Sequence, residues 1–240
     1  MIRERRARSG MLWFEAGDAT GPAVVYFHGT AGERDDLPFP ELGEQLGIRW
    51  LMVERPGYQR SAPQPGKSLS DIARMVADDL DEIGVDRFSV LGYSGGGPHA
   101  LACAVVAPSR VRAVGLFSSW APMNPPDPGL SRSVRFGMRA AALLPRAGVR
   151  LMLSAQGRGS DGMTDDICRV GRPWGFSVDA VAASTRVVVW HPERDPQVPV
   201  APWRRINGIE LHVVDGDSHE VPRERWETAL RALTRDDGNC

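Results

Sequence analysis

The stretch "VLGYSGGGPHA", residues 90–100, places a serine between glycines where one sequence pattern gives way to another. The run "FSVL" is typical of a buried strand, and "PHALACAVVA" after the glycines is typical of a helix. Gly-x-Ser-x-Gly arises by chance roughly 0.2 times in a chain of this composition, so the string alone is a weak signal. Its strand-turn-helix setting is the one that a nucleophile elbow requires, and Ser94 is therefore the candidate nucleophile.

The glycines of this stretch have separate predicted roles. A serine held at positive φ projects its hydroxyl clear of the backbone, and the residues two positions away, Gly92 and Gly96, must then lack bulk. Gly95 follows the serine directly, so we expect its N–H to face a developing oxyanion at the start of the helix. Pro98 fits the first helical turn because no N–H is needed there.

Six apolar runs rich in β-branched residues recur along the chain, and each ends in a turn. They lie at 23–27, 50–53, 88–91, 111–117, 186–190 and 209–214. Continuous apolar runs predict strands buried on both faces, as in parallel sheets. Helical patterns lie at 69–83, with Ser70 as N-cap, at 98–106 and at 223–233. The sequence therefore predicts an open, mostly parallel α/β sheet with its ligand site beyond the carboxyl ends of the strands.

One region interrupts this alternation. Residues 122–184 contain no clear strand, open with the proline-rich "APMNPPDPG" and then show two or three helical patterns. We therefore expect an α/β core formed by 1–121 and 185–240, with 122–184 inserted as a helical cap over the carboxyl edge of the sheet, where it could serve as a lid. An ordinary helical layer with a long connection is the alternative.

Composition bounds the classes of function. The formal charge of −1 gives no electrostatic attraction to nucleic acid or acidic membranes. The three cysteines lack a C-x-x-C pair, so neither a disulfide framework nor a zinc site is predicted. No apolar run approaches a membrane span, and "MLWFEAGDATG" is too short and too acidic for a signal core. We expect a cytoplasmic protein that acts on a small molecule, without metal or organic cofactor, nucleic acid or membrane.

A serine hydroxyl needs a base, and the chain offers five histidines. His99 lies on the helix that follows the serine, His212 lies inside a predicted strand, and His28 belongs to an early turn. His191 ends a strand but is followed by proline. His219, in "DGDSHE", lies on the loop after the last strand, from which an imidazole can reach across the carboxyl edge. It is the predicted general base.

The base in turn needs a carboxylate that fixes its tautomer. The loop "HPERDPQVP" offers Glu193 and Asp195, and Asp195 is better placed because the chain must first leave the strand end. Asp215 and Asp217 are sequence neighbours of the histidine and fit a turn instead, and Asp127 is a remote alternative. The resulting order of serine, acid and histidine is the one expected of a single fold.

Four blocks resemble the α/β-hydrolase superfamily, specifically its small serine hydrolases with a helical cap. "HGTAG", "ERPGYQRS", "GYSGGGPHALA" and the pair "HPERDPQVP" and "DGDSHE" occur in the family's order between about residues 21 and 219. The resemblance implies that the N–H of Thr30 is an oxyanion donor beside that of Gly95. Glu54 and Gln59 depart conservatively from the family's D-R-P-G-x-G-x-S loop, and Pro192 stands where the acid loop usually has glycine.

The residues and the resemblance together predict acyl transfer. We expect cleavage of an ester or thioester of a small to medium apolar substrate, with a water molecule releasing the acyl group from the serine. The candidate substrate contacts are Tyr93, Trp120, Met123, Phe136 and Trp174, although apolar residues at helical spacing more often bury a cap against a sheet.

Two alternatives stay open. Amide or aminopeptidase-type hydrolysis is one, because Asp161, Asp165 and Asp166 in the predicted cap could recognise an amine, although a solvated acidic face is the preferred interpretation. The other is a non-hydrolytic role that reuses the same three residues, as in a ligand receptor, a lyase or a cofactor-free enzyme.

Overall fold

An eight-stranded sheet lies at the centre of the computed structural model, which describes residues 2–30, 38–122, 132–155, 157 and 160–235. Its strands are β1 (Arg3–Arg6), β2 (Leu12–Gly17), β3 (Ala23–Phe27), β4 (Arg49–Glu54), β5 (Phe88–Tyr93), β6 (Val111–Phe117), β7 (Arg186–Pro192) and β8 (Glu210–Val214). They lie in the order β1-β2-β4-β3-β5-β6-β7-β8. The pairs β1–β2 and β2–β4 are antiparallel, and the other pairs are parallel. The mostly parallel α/β sheet predicted from the sequence is confirmed.

Helices cover both faces of the sheet. They are α1 (Glu41–Gln45), α2 (Leu69–Glu82), α3 (Gly97–Val106), α4 (Arg132–Leu143), α5 (Arg146–Ser154), α6 (Asp161–Val170), α7 (Val178–Ser184) and α8 (Arg223–Thr234). One face packs on α2, α3 and α7, and the other packs on α1 and α8. Along β3, Val25 and Phe27 belong to the first cluster while Val24 and Tyr26 belong to the second. Burial on both faces explains why the strand is continuously apolar.

The N-cap of α2 differs from the prediction. Ser68, and not Ser70, caps the helix: its hydroxyl accepts from the Asp71 amide at 3.1 Å, and the Asp71 carboxylate accepts from the Ser68 amide at 3.0 Å. A capping box needs an acceptor side chain three residues after the cap. Ser70 has Ala73 at that position, so it cannot form the reciprocal pair.

Two antiparallel strands at one edge were absent from the predicted set. In β1 ("RERR") all four residues are exposed, so the strand carries no apolar pattern, and only its pairing with β2 defines it. Two of its arginines have acidic partners: Arg3 pairs with Glu15 on β2 at 3.0 Å, and Arg5 pairs with Glu82. Charged side chains of this kind protect a sheet edge from further pairing.

Four helices, α4 to α7, fill the region between β6 and β7 in the part of the chain that the structure describes. Helices α5 and α6 share a small apolar cluster of their own, formed by Val149, Leu153, Met163 and Cys168. Helix α7 instead packs Val178 and Val181 into the main core. The division of the chain at residues 122 and 184 stays a prediction. None of the helices within the described ranges is both long and apolar enough to cross a bilayer.

Candidate active site

Ser94 lies on a sharp turn between β5 and α3. Strand β5 ends at Tyr93, residues Ser94–Gly96 form a single 3-10 turn, and α3 begins at Gly97. Ser94 has a φ of 51° and is 8% exposed. A side chain at positive φ costs about 1 to 2 kcal/mol, which the close packing around the turn must offset. The predicted strand-turn-helix geometry is present, with the hydroxyl on the carboxyl edge of the sheet.

The glycines around Ser94 are required by the closeness of the surrounding chain. A Cβ on Gly92 would lie 2.5 Å from the Cα of Gly97, and one on Gly96 would lie 2.1 Å from the carbonyl oxygen of Phe27. A Cβ on Gly97 would lie 1.7 Å from Ser119 Oγ. Since such distances are far below van der Waals contact, these positions admit only glycine in this backbone arrangement.

The turn after β3 brings Thr30 beside Gly95, as the resemblance implies. A Cβ on Gly95 would lie 1.9 Å from Thr30 Oγ1 and 3.3 Å from the Thr30 amide nitrogen. A Cβ on Gly29 would lie 3.5 Å from the Cβ of Ser94. The two predicted oxyanion donors and the candidate nucleophile therefore belong to one small volume.

Hydrogen bonds fix the peptide unit that carries the Thr30 N–H. The carbonyl oxygen of Gly29 lies 2.8 Å from His28 Nδ1 and accepts from Arg55 Nη2, also at 2.8 Å. The His28 Nε2 atom accepts the Arg55 backbone N–H at 3.1 Å, so the imidazole proton must lie on Nδ1, from which it is donated to Gly29. Because a trans peptide is planar, holding the Gly29 oxygen also sets the direction of the Thr30 N–H.

Asp195 and His219 form a hydrogen-bonded pair across two loops. The Asp195 Oδ2 atom lies 2.7 Å from His219 Nδ1, and Oδ1 accepts from the amides of Gln197 and Val198 at 2.8 Å and 2.9 Å. Burial of the Asp195 side chain opposes ionisation, but these three hydrogen bonds outweigh it and lower the pKa of the carboxyl. An ionised Asp195 keeps the His219 proton on Nδ1 and leaves Nε2 as a base.

The loop that carries His219 is tied to the elbow. Ser118 Oγ donates to the His219 carbonyl oxygen at 2.9 Å, and the Tyr93 ring lies 5.2 Å from the imidazole, centroid to centroid. Trp120 donates its amide to the Ser94 carbonyl oxygen at 3.4 Å. Ser118 is a contributor that the sequence interpretation missed. Its position directly after β6, in "SSW", is the signal that could have found it.

The family model and the solved structures agree with the fold described above. The family described as "alpha/beta hydrolase fold" matches residues 22–139. A bromoperoxidase from Bacillus anthracis superposes with a TM-score of 0.71 at 15% identity, covering 98% of this chain and 100% of that one. The chain belongs to the α/β-hydrolase superfamily. At such low identity, the solved structure supports the fold alone.

Two curated relatives of this α/β-hydrolase chain are enzymes. It is 31% identical over 174 residues to the dihydrolipoyllysine-residue acetyltransferase component of the acetoin cleaving system of Cupriavidus necator, with 71% of this chain and 43% of the relative covered. It is 28% identical over 112 residues to zearalenone hydrolase of Cladophialophora bantiana, with 44% and 42% covered. The chain thus spans less than half the length of either relative.

Three residues of this α/β-hydrolase fold that were not chosen as acid or base have other partners. Glu193 forms an ion pair with Arg204 at the surface, away from the imidazole that Asp195 contacts. His212 is exposed on β8 and stacks on Trp190. His191 is buried, with Nδ1 3.0 Å from the Pro192 carbonyl oxygen. Asp127 lies outside the described residues.

The predicted substrate contacts are divided among three environments. Tyr93 and Trp120 lie at the site, through the contacts with His219 and Ser94 given above. Phe136 on α4 is 69% exposed. Trp174 is buried beside α7 and lines a separate cavity of about 300 Å³ between the start of α2 and the end of α6. Met123 lies outside the described residues.

The interpretation of the cap acids as a solvated face is wrong for two of the three. Asp165 and Asp166 are 3% and 1% exposed, because α6 turns this side toward α5 and the core. Asp165 pairs with Arg146 on α5 at 2.5 Å, and Asp166 pairs with Arg55 after β4. Asp161 is partly exposed and bonds Arg146 at 2.7 Å.

A buried polar cluster, called the Asp166 cluster below, lies between α6 and the sheet of this α/β-hydrolase fold. It consists of Asp166, Arg55, Tyr58, His99 and Arg169. Burial lowers the pKa of His99 to about 4, against the opposing hydrogen bond to Asp166. Burial, reinforced by the Arg55 charge, lowers the pKa of the neighbouring His28 to about 3. Both imidazoles are therefore neutral in the folded protein at pH 5 to 7.

These two histidines should make stability pH-dependent. In the unfolded chain their pKa is about 6.5, so between pH 7 and pH 5 the unfolded state binds more protons and the folded state loses stability as the pH falls. We expect the free energy of unfolding, measured by urea titration, to decrease by about 2 to 4 kcal/mol over this range. The variant His99→Gln, which keeps an N–H for Asp166, should show a clearly weaker dependence, and the rest should come from His28 and from His191, whose pKa burial also lowers. If the free energy of unfolding changed with pH equally in the variant and the parent, His99 would not be a source of the pH dependence.

Proposed function

We propose that the protein is a serine hydrolase that cleaves an ester or thioester of a small to medium apolar substrate through an acyl-enzyme on Ser94. The observation that carries the proposal is the hydrogen-bonded pair of Asp195 and His219, tied by Ser118 and Tyr93 to the turn that holds Ser94 at positive φ. Hydrolase-named relatives support the same class of reaction.

In the first half-reaction the Ser94 hydroxyl attacks the carbonyl carbon while His219 Nε2 accepts its proton. The imidazolium that forms is stabilised by the ionised Asp195 at Nδ1. Negative charge develops on the former carbonyl oxygen, and the N–H groups of Thr30 and Gly95 donate to it. Because the Gly29–Thr30 peptide is already held by two hydrogen bonds, this donor needs no reorganisation during the step.

Collapse of the tetrahedral intermediate expels the alcohol or thiol, which takes the proton from His219. In the second half-reaction a water molecule gives a proton to the same Nε2 atom and attacks the acyl carbon. The acid is released and Ser94 regains its hydroxyl. His219 is therefore the proposed base in both half-reactions.

The cap favours esters and thioesters over amine-bearing peptides. An aminopeptidase-type site needs a carboxylate that is free to bind the substrate amine. The acids of α6 already have partners: Asp165 pairs with Arg146, Asp166 with Arg55, and Asp161 with Arg146 and Arg150. A substrate amine bound to any of them would therefore have to share the carboxylate with an arginine that already neutralises it.

Labelling with a fluorophosphonate tests the proposed nucleophile directly. We expect one covalent adduct, mapped by peptide sequencing to Ser94, because only a serine activated by a neighbouring base reacts quickly with this probe. An adduct on any other residue would refute the assignment. Labelling of Ser94 in a protein that turns over no ester or thioester, from acetyl to longer chains, would favour the ligand-receptor alternative.

A further inference from the structure

Asp166 belongs to cap helix α6, yet its carboxylate lies among core residues. Oδ2 accepts from Tyr58 Oη at 2.6 Å and pairs with Arg55 Nη1, while Oδ1 lies 3.2 Å from His99 Nε2 and 3.4 Å from Arg169 Nη1. Asp166 and Arg55 are each 1% exposed. Burial opposes ionisation of Asp166, but the Arg55 charge and the hydrogen bond from His99 outweigh it and lower the pKa of the carboxyl. The pair is therefore a buried ion pair.

Arg55 extends this ion pair to the oxyanion loop. Its Nη1 atom contacts Asp166, while Nη2 donates to the Gly29 carbonyl oxygen at 2.8 Å. A guanidinium group is planar and rigid, so fixing one terminal nitrogen restricts the position of the other. The Gly29 oxygen in turn shares a planar peptide with the Thr30 N–H, the proposed oxyanion donor.

We infer that Asp166 is a positioning residue that orients the oxyanion donor of Thr30 through Arg55, so that the donor is set correctly when α6 is docked on the core. The inference rests on the proposed function, because it assigns Thr30 the role of stabilising an oxyanion. Helix α6 would then help to set the direction of the oxyanion donor through a residue that does not have to contact the substrate.

Asp166 holds Arg55 in place through its negative charge rather than through the shape of its side chain. The Arg55 Nε atom already has no partner within the described residues, so without Asp166 the buried cation depends on Gly29 and on neutral groups. A buried cation that loses its anion shifts toward other acceptors or toward water. Asparagine at position 166 keeps the volume of the side chain but removes the charge that holds Arg55.

Asp165 provides a matched control. It lies one residue earlier on α6, is 3% exposed and pairs with an arginine, but that partner is Arg146 on cap helix α5. Both Asp166→Asn and Asp165→Asn therefore remove the charge of a buried carboxylate on the same helix that pairs with arginine, although the Arg146 side chain is 32% exposed while Arg55 is 1% exposed. Only the first should disturb the oxyanion loop.

Steady-state kinetics on p-nitrophenyl acetate form the first test. We expect Asp166→Asn to lower kcat by about tenfold or more with KM changed by less than about twofold, since loss of a whole oxyanion donor costs about 10² to 10³ in kcat. Asp165→Asn should stay within about twofold of the parent in both constants. Equal losses in the two variants, or a change in KM alone, would overturn the inference.

Hydrogen exchange gives a readout that does not depend on esterase activity. The Arg55 amide is protected by its bond to His28 Nε2, so loosening of this loop should speed its exchange about tenfold in Asp166→Asn and leave it unchanged in Asp165→Asn. Amides of β3 serve as the reference for global unfolding. If the parent hydrolyses no ester, the proposed function fails while this exchange result still decides whether Asp166 holds the loop.

Tyr58→Phe covers the case in which Asp166→Asn does not fold. It removes the 2.6 Å hydrogen bond to Asp166 while keeping the ion pair, so we expect a smaller change of about two- to fivefold in kcat and in Arg55 exchange. Parent-like values for both quantities in this variant would count against the inference.

Discussion

Ser94→Ala is expected to lower kcat/KM for short p-nitrophenyl esters by about 10³-fold or more, to the level left by binding and the oxyanion donors alone. Alanine removes the attacking oxygen, so no acyl-enzyme can form. The backbone at position 94 keeps its φ of 51°, and the packing of Gly92, Gly96 and Gly97 around the turn is unaffected. The variant should therefore fold with a thermal midpoint close to that of the parent.

Ser89→Ala is the matched control for this experiment. Ser89 is a buried serine on the same strand, β5, but its hydroxyl donates to the Leu233 carbonyl oxygen at 2.6 Å on the side of α8. Its loss should cost about 1 kcal/mol of stability and leave turnover within about twofold. Parent-like rates in Ser94→Ala would mean that the observed hydrolysis does not pass through this serine.

Asp195→Asn should lower kcat by about 10³- to 10⁴-fold with little change in fold. An amide cannot stabilise the imidazolium as an ionised carboxylate does, and it can turn its NH₂ toward His219 Nδ1, which moves the imidazole proton to Nε2 and removes the base. The two amides that now donate to Oδ1, from Gln197 and Val198, still find an oxygen in the asparagine side chain. We would measure kcat as a function of pH for parent and variant.

Glu193→Gln tests whether removing any negative charge from this loop lowers kcat, or only removing the charge of Asp195. Glu193 lies two residues earlier on the same loop, and its carboxylate pairs with Arg204 at the surface. The exposed ion pair is worth little, so kcat should stay within about twofold of the parent. A large loss in Glu193→Gln together with a small one in Asp195→Asn would reverse the assignment of the acid.

Elements buried on both faces were the most predictable part of the fold. The predicted bounds of β3 and β6 coincide with the observed Ala23–Phe27 and Val111–Phe117, because every position in these runs but Arg112 is buried. Strand β1 could not be found in this way, since "RERR" has no buried residue and is defined only by a partner elsewhere in the chain.

The candidate site was predictable where its residues lie at strand ends. The structure brings Asp195 and His219 together from the loops after β7 and β8, as the order of the motifs predicts. The buried role of Asp166 could not be foreseen, because Asp161, Asp165 and Asp166 look alike in sequence. Only the tertiary contact with Arg55 distinguishes the last of them.

The contact between Gly57 and Gly162 bears on how this protein could be engineered. The Gly162 amide donates to the Gly57 carbonyl oxygen at 3.0 Å, and a Cβ on Gly57 would lie 2.7 Å from the Gly162 nitrogen. Here α6 meets the loop after β4 backbone to backbone, with no room for a side chain. A helix transplanted from another scaffold into the place of α6 would have to bring its own glycine to this position, and an acid four residues later to meet Arg55. Helix α6 and the loop after β4 would therefore have to be exchanged together, as one packing unit.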